Sequence, residues 1–290
     1  MRLAFLGTPE AAVPSLEALV HEGHDVELVI TRPDRRRGRG AALTPSPVKA
    51  AALTLGLRVS HRLADLEELD VERGVVVAYG AIIPAALLQR VPMLNVHFSL
   101  LPHWRGAAPV QRAILAGDEE TGVAIISLEP TLDTGPVHLE RRVRVDEKTA
   151  DELTAELAVV GAAALTEVLG SSQLLEHATV QVGEVTYAEK LSKETFHMTP
   201  EMTTALALRI VRLGGAYLFV AGKRLGVVMA QAIGDDVPRG MIARREGNVL
   251  IGLNDGAIAL KDVRPEGSKT MAATAWWAGR RFDDGSLEWS

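Results

Sequence analysis

The sequence predicts an α/β domain built on a mostly parallel sheet, followed by a small β-barrel domain. Three observations carry this. Up to about Gly170, short apolar runs alternate with helical patterns, the order of strands and covering helices in a parallel sheet. One of these runs, 74-GVVVAYG-80, is continuously apolar, as a strand buried on both faces requires. Beyond Gly170, short strands punctuated by Gly, Asn and Asp replace the alternation, which is the spacing of a small barrel.

Residues 2-RLAFL-6 and 25-DVELVIT-31 read as strands, and 10-EAAVPSLEALVHEG-23 between them reads as a helix stopped at Gly23. The stretch 46-SPVKAAALTLG-56 carries helix punctuation: Ser46 as N-cap, Pro47 at the first position, Gly56 as stop signal. After the strand at 74–80 come a short helix around Ala85–Gln89 and a strand at 94-LNVHF-98. A helix over Ala108–Ala116, strands at 122-GVAIISLE-129 and 136-PVHLERRVRV-145, and a long helix over Ala150–Leu169 complete the first domain. Residues 171–200 are polar and irregular, and 189-EKLSKE-194 reads as linker. A helix over Thr203–Leu213 then precedes strands at 217-YLFVAG-222, 224-RLGVVMAQAI-233, 248-NVLIGL-253 and 257-AIALKDV-263, with Asn254-Asp255-Gly256 marking a hairpin. These place the first domain at 1–185, a linker at 186–200 and the barrel at 201–290.

Composition excludes several classes. Of 290 residues none is cysteine, which removes disulfides, thiolate metal sites and cysteine nucleophiles and fits a reducing cytoplasm. The N-terminal apolar run is too short for a signal peptide, and no stretch approaches the roughly 20 apolar residues needed to span a bilayer, so no membrane partner is expected. The formal charge of −6, from 31 Lys+Arg against 37 Asp+Glu, argues against a general nucleic-acid coat. A local basic run, 35-RRRGRG-40, stands out against it; its simplest reading is a solvated charge run.

The stretch 94-LNVHFSLLPHW-104 places Asn95 and His97 on one face of a strand, near its C-terminal end, where ligands of open α/β sheets bind. A lone histidine in an apolar strand is commonly a satisfied core residue. Two buried polar side chains together need partners, however, or cost about 1–3 kcal/mol each. The candidate third group is Asp133 in 131-TLDTGPV-137, at the exit of an apolar run. Aspartic proteases also use Asp-Thr-Gly, but they need two carboxylates, and an isolated Asp-Thr-Gly suits a turn equally well. An amide donor, an imidazole and a carboxylate suit acyl transfer without a serine or cysteine nucleophile, with a substrate amine attacking directly. His97 and His103 lack the i,i+4 helical spacing of a metal pair, and no metal is expected.

The segment 95-NVHFSLLPHWRGAAPVQRAILAGDEETGVAI-125 with 132-LDTGPV-137 resembles the folate-dependent formyltransferases. Further matches run in order along nearly the whole chain: 6-LGTPEAAVPSLEAL-19, 31-TRPDRRRGRG-40, 45-PSPVK-49, 77-VAYGAIIP-84, 187-YAEKLSKE-194 and 263-VRPEGSKTM-271. The basic loop with WRGAAPVQRAI points to the branch of the family whose acceptor is initiator tRNA. The resemblance implies a Rossmann-like catalytic domain, a C-terminal OB-like barrel that helps to hold tRNA, and transfer of a formyl group from 10-formyltetrahydrofolate to the α-amino group of methionyl-initiator tRNA by a monomer. It implies Asn95, His97 and Asp133 as the catalytic residues, with Asn95 donating to the formyl oxygen and Asp133 partnering His97. Ser99, Leu100, Leu101 and Pro102 are implied as the folate-binding segment. Arg36, Arg37 and Arg39 are implied in tRNA contact, Arg39 matching the family's key arginine. Other acceptor classes are an amino sugar nucleotide or another small amine, and a folate- or RNA-binding paralogue without catalysis is the alternative outside enzymes. Three further expectations are specific to this chain. Tyr217 and Phe219 stand in for an aromatic-proline stretch that the family carries before its barrel, and Phe98, where relatives have a small residue, turns its ring away from His97. Arg209, Arg212, Lys223, Arg224, Arg244 and Arg245 are available for phosphate contacts.

Overall fold

A computed structural model describes residues 1–37, 42–234, 237–279 and 286–290, with the backbone alone for 37, 42, 286 and 287. It divides into two units, Met1–Ala113 with Glu119–Asp146 and Glu152–Lys190, and Ile114–Asp118 with Glu147–Asp151 and Leu191–Ser290.

The elements through the first unit are β1 (Arg2–Gly7), α1 (Val13–His21), β2 (Asp25–Ile30), β3 (Arg35–Arg37), β4 (Ala42–Thr44), α2 (Pro47–Thr54), β5 (Val59–Ser60), β6 (Arg73–Val77), α3 (Ala85–Arg90), β7 (Met93–His97), β8 (Arg105–Gly106), α4 (Pro109–Ala116), β9 (Glu120–Ser127), β10 (Val137–Arg144), α5 (Ala150–Leu169), α6 (Ser172–Glu176) and β11 (Tyr187–Ala188). A seven-stranded sheet has the order β10-β9-β7-β6-β1-β2-β5. Strands β7 through β5 pair in parallel, and β9 and β10 add an antiparallel edge. Leu3, Ala4, Phe5 and Leu6 are all wholly buried, which is why β1 carries no polar alternation. The helix expected over 10–23 opens as a 3-10 turn at Glu10–Ala12 before α1 begins. For α2, Ser46 accepts the Lys49 backbone N–H at 3.0 Å and Pro47 opens the first turn, so capping chemistry sets the helix start.

The chain runs outward from β1 to β2 and β5, then returns to the other side of β1 as β6. The carboxyl ends of β1 and β6 therefore flank a change in strand order, where open α/β sheets leave a crevice.

The second unit holds α7 (Thr204–Arg212), β12 (Tyr217–Val220), β13 (Lys223–Ile233), β14 (Met241–Arg245), β15 (Asn248–Leu253), β16 (Gly256–Pro265), β17 (Met271–Ala272), α8 (Ala273–Ala278) and β18 (Ser286–Glu288). Its antiparallel sheet has the order β12-β13-β16-β15-β14-β18. The sheet curls until Ser290 and Phe219 exchange backbone hydrogen bonds of 2.6 and 2.9 Å, returning the last residues to β12. Ala221-Gly222 and Glu246-Gly247 turn tight hairpins with both residues at positive φ. Strand β14 and helix α8 have no counterpart in the sequence reading. The stretch 241-MIARR-245 has too little apolar alternation to announce a strand, and its pairing on both sides with β15 and β18 supplies what local pattern lacks. Leu218, Val227, Ile251, Ile258, Val263 and Trp289 fill the core of this unit. No helix among the described residues is long and apolar enough to cross a membrane.

Candidate active site at the end of the seventh strand

Asn95 and His97 leave the same face of β7 and are 9% and 6% exposed. His97 Nε2 lies 3.0 Å from the Trp104 carbonyl oxygen, which can only accept. The neutral ring therefore carries its proton on Nε2, and Nδ1 holds the lone pair. That Nδ1 faces Asp133 Oδ2 at 3.7 Å, beyond hydrogen-bond range but close enough for an imidazolium formed there to pair with the carboxylate. The same Oδ2 accepts the Gly106 backbone N–H at 2.8 Å, which fixes its position. Among the described residues none hydrogen-bonds the Asn95 amide, so its N–H groups remain available. Of the three groups singled out in sequence, His97 and Asp133 meet and Asn95 shares the strand face of His97; the Trp104 carbonyl on the other side of the ring had no signal in the sequence.

Both partners of His97 sit in left-handed backbone, Trp104 at φ 60° and Asp133 at φ 51°. Such a conformation costs a residue such as tryptophan about 1 kcal/mol or more, and aspartate is among the side chains that tolerate it. Residues 181–188 hold them there. Trp104 N–H donates to Thr186 Oγ1 at 2.9 Å, and Gln181 Nε2 donates to the Asp133 and Gly135 carbonyls at 2.8 Å each. The Gln181 side-chain oxygen accepts from Arg105 Nε at 3.1 Å and also from its Nη2. Strand β11 pairs in parallel with β8, and the Ala107 and Ala108 N–H groups share the Ala188 carbonyl. Gly106, at φ 126°, would bring a Cβ within 2.8 Å of that carbonyl, and a Cβ on Gly135 would lie 1.7 Å from the Ser127 carbonyl. The glycine of Asp-Thr-Gly is therefore a packing requirement. The segment expected to begin a linker at 186 runs inside this brace, and the first unit extends to Lys190.

The 99–102 turn packs tightly. Ser99 is wholly buried and donates to the His103 carbonyl, while Leu101 clusters with Ala124, Ile126 and Val137. Pro102 follows a cis peptide and packs against Gly183, and Leu100 lies half-buried over Gly122. Of the four, Leu100 alone keeps appreciable exposure. Phe98 carries its ring beside Val96 toward Gly161 of α5, on the face opposite His97, as strand alternation requires.

A cavity of about 360 Å³ occupies the change in strand order, lined by Thr8, Tyr79, Gly80, Arg32, Arg35 and Lys190 among others. Thr8 Oγ1 ties its floor together, donating to the Tyr79 carbonyl at 3.2 Å and accepting the Arg32 N–H at 3.4 Å. Burial raises the Tyr79 hydroxyl above the ordinary phenol value, and the Arg32 charge opposes the rise. Strands β3 and β4 form a hairpin in which Arg35 stands opposite Thr44, and both line the cavity. At the hairpin base, Lys49 pairs with Asp34 at 2.7 Å. Arg36, one residue on, is exposed on the other face; for Arg37 the backbone alone is described, and Arg39 lies outside the described residues. Arg32, Arg35 and Lys190 have no carboxylate partner among the described residues, so the cavity presents unneutralised positive charge. Arg32 and Arg35 belong to the basic loop 32–45 that the sequence offers for tRNA contact, whereas Lys190 is not singled out there; what the three share is proximity in the fold.

In the second unit Arg209 donates to the Leu115 and Ala116 carbonyls and Arg212 to the Lys148 carbonyl, so both are committed to structure. Tyr217 stacks on His197 at 5.1 Å, meets Phe219 edge-on at 5.7 Å, and carries the Arg224 guanidinium 4.1 Å above its ring. Among the described residues no group of three His, Asp or Glu side chains could hold a metal ion.

A buried imidazole beside a carboxylate and a free amide at a sheet's carboxyl edge serves acyl transfer in more than one fold, and comparison with known proteins narrows the choice. The family model for formyl transferase matches residues 1–169, and the model for the formyl transferase C-terminal domain matches residues 206–281. The methionyl-tRNA formyltransferase of Thiobacillus denitrificans is 40% identical over 305 residues, covering 99% of each chain. That of Novosphingobium aromaticivorans is 42% identical over 302 residues, with 99% of each chain again covered. An N-formyltransferase from Helicobacter canadensis, solved with folinic acid and dTDP-3-aminofucose, superposes with a TM-score of 0.68 at 16% identity, over 89% of this chain and 98% of its own; that likeness speaks to the fold. With one family model covering more than half of the chain and full-length relatives near 40% identity, the chain belongs to the formyl transferase family.

Proposed function

We propose that this enzyme transfers the formyl group of 10-formyltetrahydrofolate to the α-amino group of methionyl-initiator tRNA. The observation that carries the chemistry is the His97 Nδ1 lone pair facing Asp133, on the strand face shared with an uncommitted Asn95 amide. The full-length relatives named for methionyl-tRNA support the acceptor. In this reading the acceptor nitrogen attacks the formyl carbon as the bond from that carbon to N10 of the folate breaks. His97 Nδ1 takes the proton that the amine loses, Asp133 stabilises the resulting imidazolium, and the proton gained by N10 balances the exchange. Asn95 donates to the formyl oxygen as negative charge develops there. Leu100 supplies an apolar contact for the folate rings, and the backbone at 78–80 offers donors and acceptors to the pterin edge.

The cavity with Arg32, Arg35 and Lys190 is assigned to an anionic group near the tRNA acceptor end, because guanidinium and ammonium groups without carboxylate partners suit a phosphate. The basic run containing Arg36, Arg37 and Arg39 is assigned to contact with the acceptor stem. The barrel of residues 201–290 holds the tRNA body through cations such as Lys223 and Arg244, exposed on its surface.

Incubation with 10-formyltetrahydrofolate and methionyl-tRNA, scored for N-formylmethionine, tests the reaction. No product with tRNA, but product with a sugar amine, overturns the acceptor. Lys190→Ala is expected to raise KM for the tRNA by about tenfold at most while leaving KM for the folate unchanged. A rise in the folate KM alone moves the cavity to the donor.

A further inference from the structure

The brace across residues 181–186 bonds the backbone of both residues that face His97, the Asp133 carbonyl and the Trp104 N–H, while touching neither ring nitrogen itself. Gln181 reaches the Asp133 carbonyl through one N–H, the Gly135 carbonyl through the other, and Arg105 through its oxygen. Its amide spans the gap between the Asp133 turn and β8. The next residue of β8, Gly106, supplies the N–H that fixes the Asp133 carboxylate. Thr186 Oγ1 takes the N–H of Trp104, the residue whose carbonyl sets the His97 tautomer. Trp104 and Asp133 both hold positive φ, which a tryptophan disfavours strongly and an aspartate tolerates. A backbone held off its preferred region needs an external restraint, and at both positions the restraint comes from the same short segment.

We propose that Gln181 and Thr186 are positioning residues for formyl transfer: Gln181 holds Asp133, and Thr186 holds Trp104, so that the two sides of His97 are set by one strap. The proposal rests on the catalytic reading of His97 and Asp133 above. The chemistry separates the two ends of Gln181. In Gln181→Glu the side-chain oxygen facing Arg105 remains and gains charge, so the tie to β8 survives. The two donated hydrogen bonds are replaced by a carboxylate oxygen set against two carbonyls, which pushes the Asp133 turn away. A glutamate here thus releases the catalytic carboxylate without cutting the strap from its strand.

The experiment uses the full-length protein and steady-state formylation of methionyl-tRNA, with thermal unfolding as a folding control. Wild-type turnover comes first: if the wild type forms no N-formylmethionine, the functional reading itself fails. Given turnover, Gln181→Glu is expected to lower kcat by about ten- to a hundredfold, the scale of a misplaced catalytic group, with KM for both substrates little changed. Combined with Asp133→Asn it is expected to add no further loss, because its effect passes through the Asp133 carboxylate. Thr186→Val is expected to lower kcat, and Thr186→Ser, which keeps the accepting oxygen, to recover most of the rate. An unchanged kcat in Gln181→Glu, or losses that multiply in the double variant, overturns the role of Gln181. Equal loss in Thr186→Ser and Thr186→Val overturns that of Thr186. If Gln181→Glu unfolds, Gln181→Met, which keeps the length and removes every hydrogen bond, is read by the same double-variant comparison.

Discussion

Two buried histidines stand on strands of the same sheet and behave differently. His138, on β10, has both ring nitrogens occupied by neutral groups, Nε2 by Ser127 Oγ at 2.8 Å and Nδ1 by the Leu174 carbonyl at 2.8 Å. His97, on β7, has one nitrogen on a carbonyl and the other facing a carboxylate without a hydrogen bond. Both are under a tenth exposed, so burial does not separate them. What separates them is an unspent lone pair. Both nitrogens of His138 are held, by the Ser127 hydroxyl and the Leu174 carbonyl, whereas His97 Nδ1 faces the Asp133 carboxylate with no hydrogen bond of its own. His138 is a strut between β10, β9 and α6; His97 is the acid–base group of the proposed reaction.

The contrast can be broken in four places. His97→Ala should cost the most, on the order of 10³ in kcat with unfolding temperature near that of the wild type, measured by formylation rate and calorimetry. A loss of stability in place of a loss of rate would make it a second strut. Asp133→Asn keeps the size and the acceptor for Gly106 N–H but removes the charge; a fall of about 10² in kcat at unchanged tRNA affinity is expected in the same assay. For His138→Ala the order of effects should reverse. It leaves the Leu174 carbonyl and Ser127 hydroxyl unpaired beside a cavity, at about 2–3 kcal/mol of stability by denaturant titration, with kcat of the folded enzyme unchanged. Ser127→Ala sharpens the point at the small end: one neutral hydrogen bond is lost, about 1 kcal/mol, and the rate should not respond.

Much of the first domain was legible because local chemistry specifies it. Ser46 and Pro47 announce α2, alternation at Asn95 and His97 places both on one face, and the parity of Phe98 puts its ring on the other. The Asp133 loop was identifiable as a companion because two polar groups in a core strand demand a third. The segment 179–188 was not legible. Val180, Val182 and Tyr187 are exposed, and the stretch lies in the polar, irregular region 171–200, whose residues from 186 onward read as linker. Its role comes from hydrogen bonds to residues some 50 to 80 positions away, Asp133 and Trp104, and no local pattern encodes those. The charged hairpin shows the same limit on a smaller scale. The arginine run was visible, yet Arg35 lines the cavity and Arg36 does not, a difference set by the pairing of Arg35 with Thr44.

By itself the sequence determined the parallel core, the capped start of α2, the barrel hairpin at 254–256 and the polar pair on β7, because periodicity, caps and turn residues act over a few neighbours. The tertiary structure alone decided which nitrogen of His97 is free, which arginines enter the cavity, and that an irregular polar stretch braces the site. Each of those depends on one backbone carbonyl or side chain meeting another across a long separation in the chain. Such meetings are fixed by how the sheet and its loops close in space, after local preferences have been satisfied.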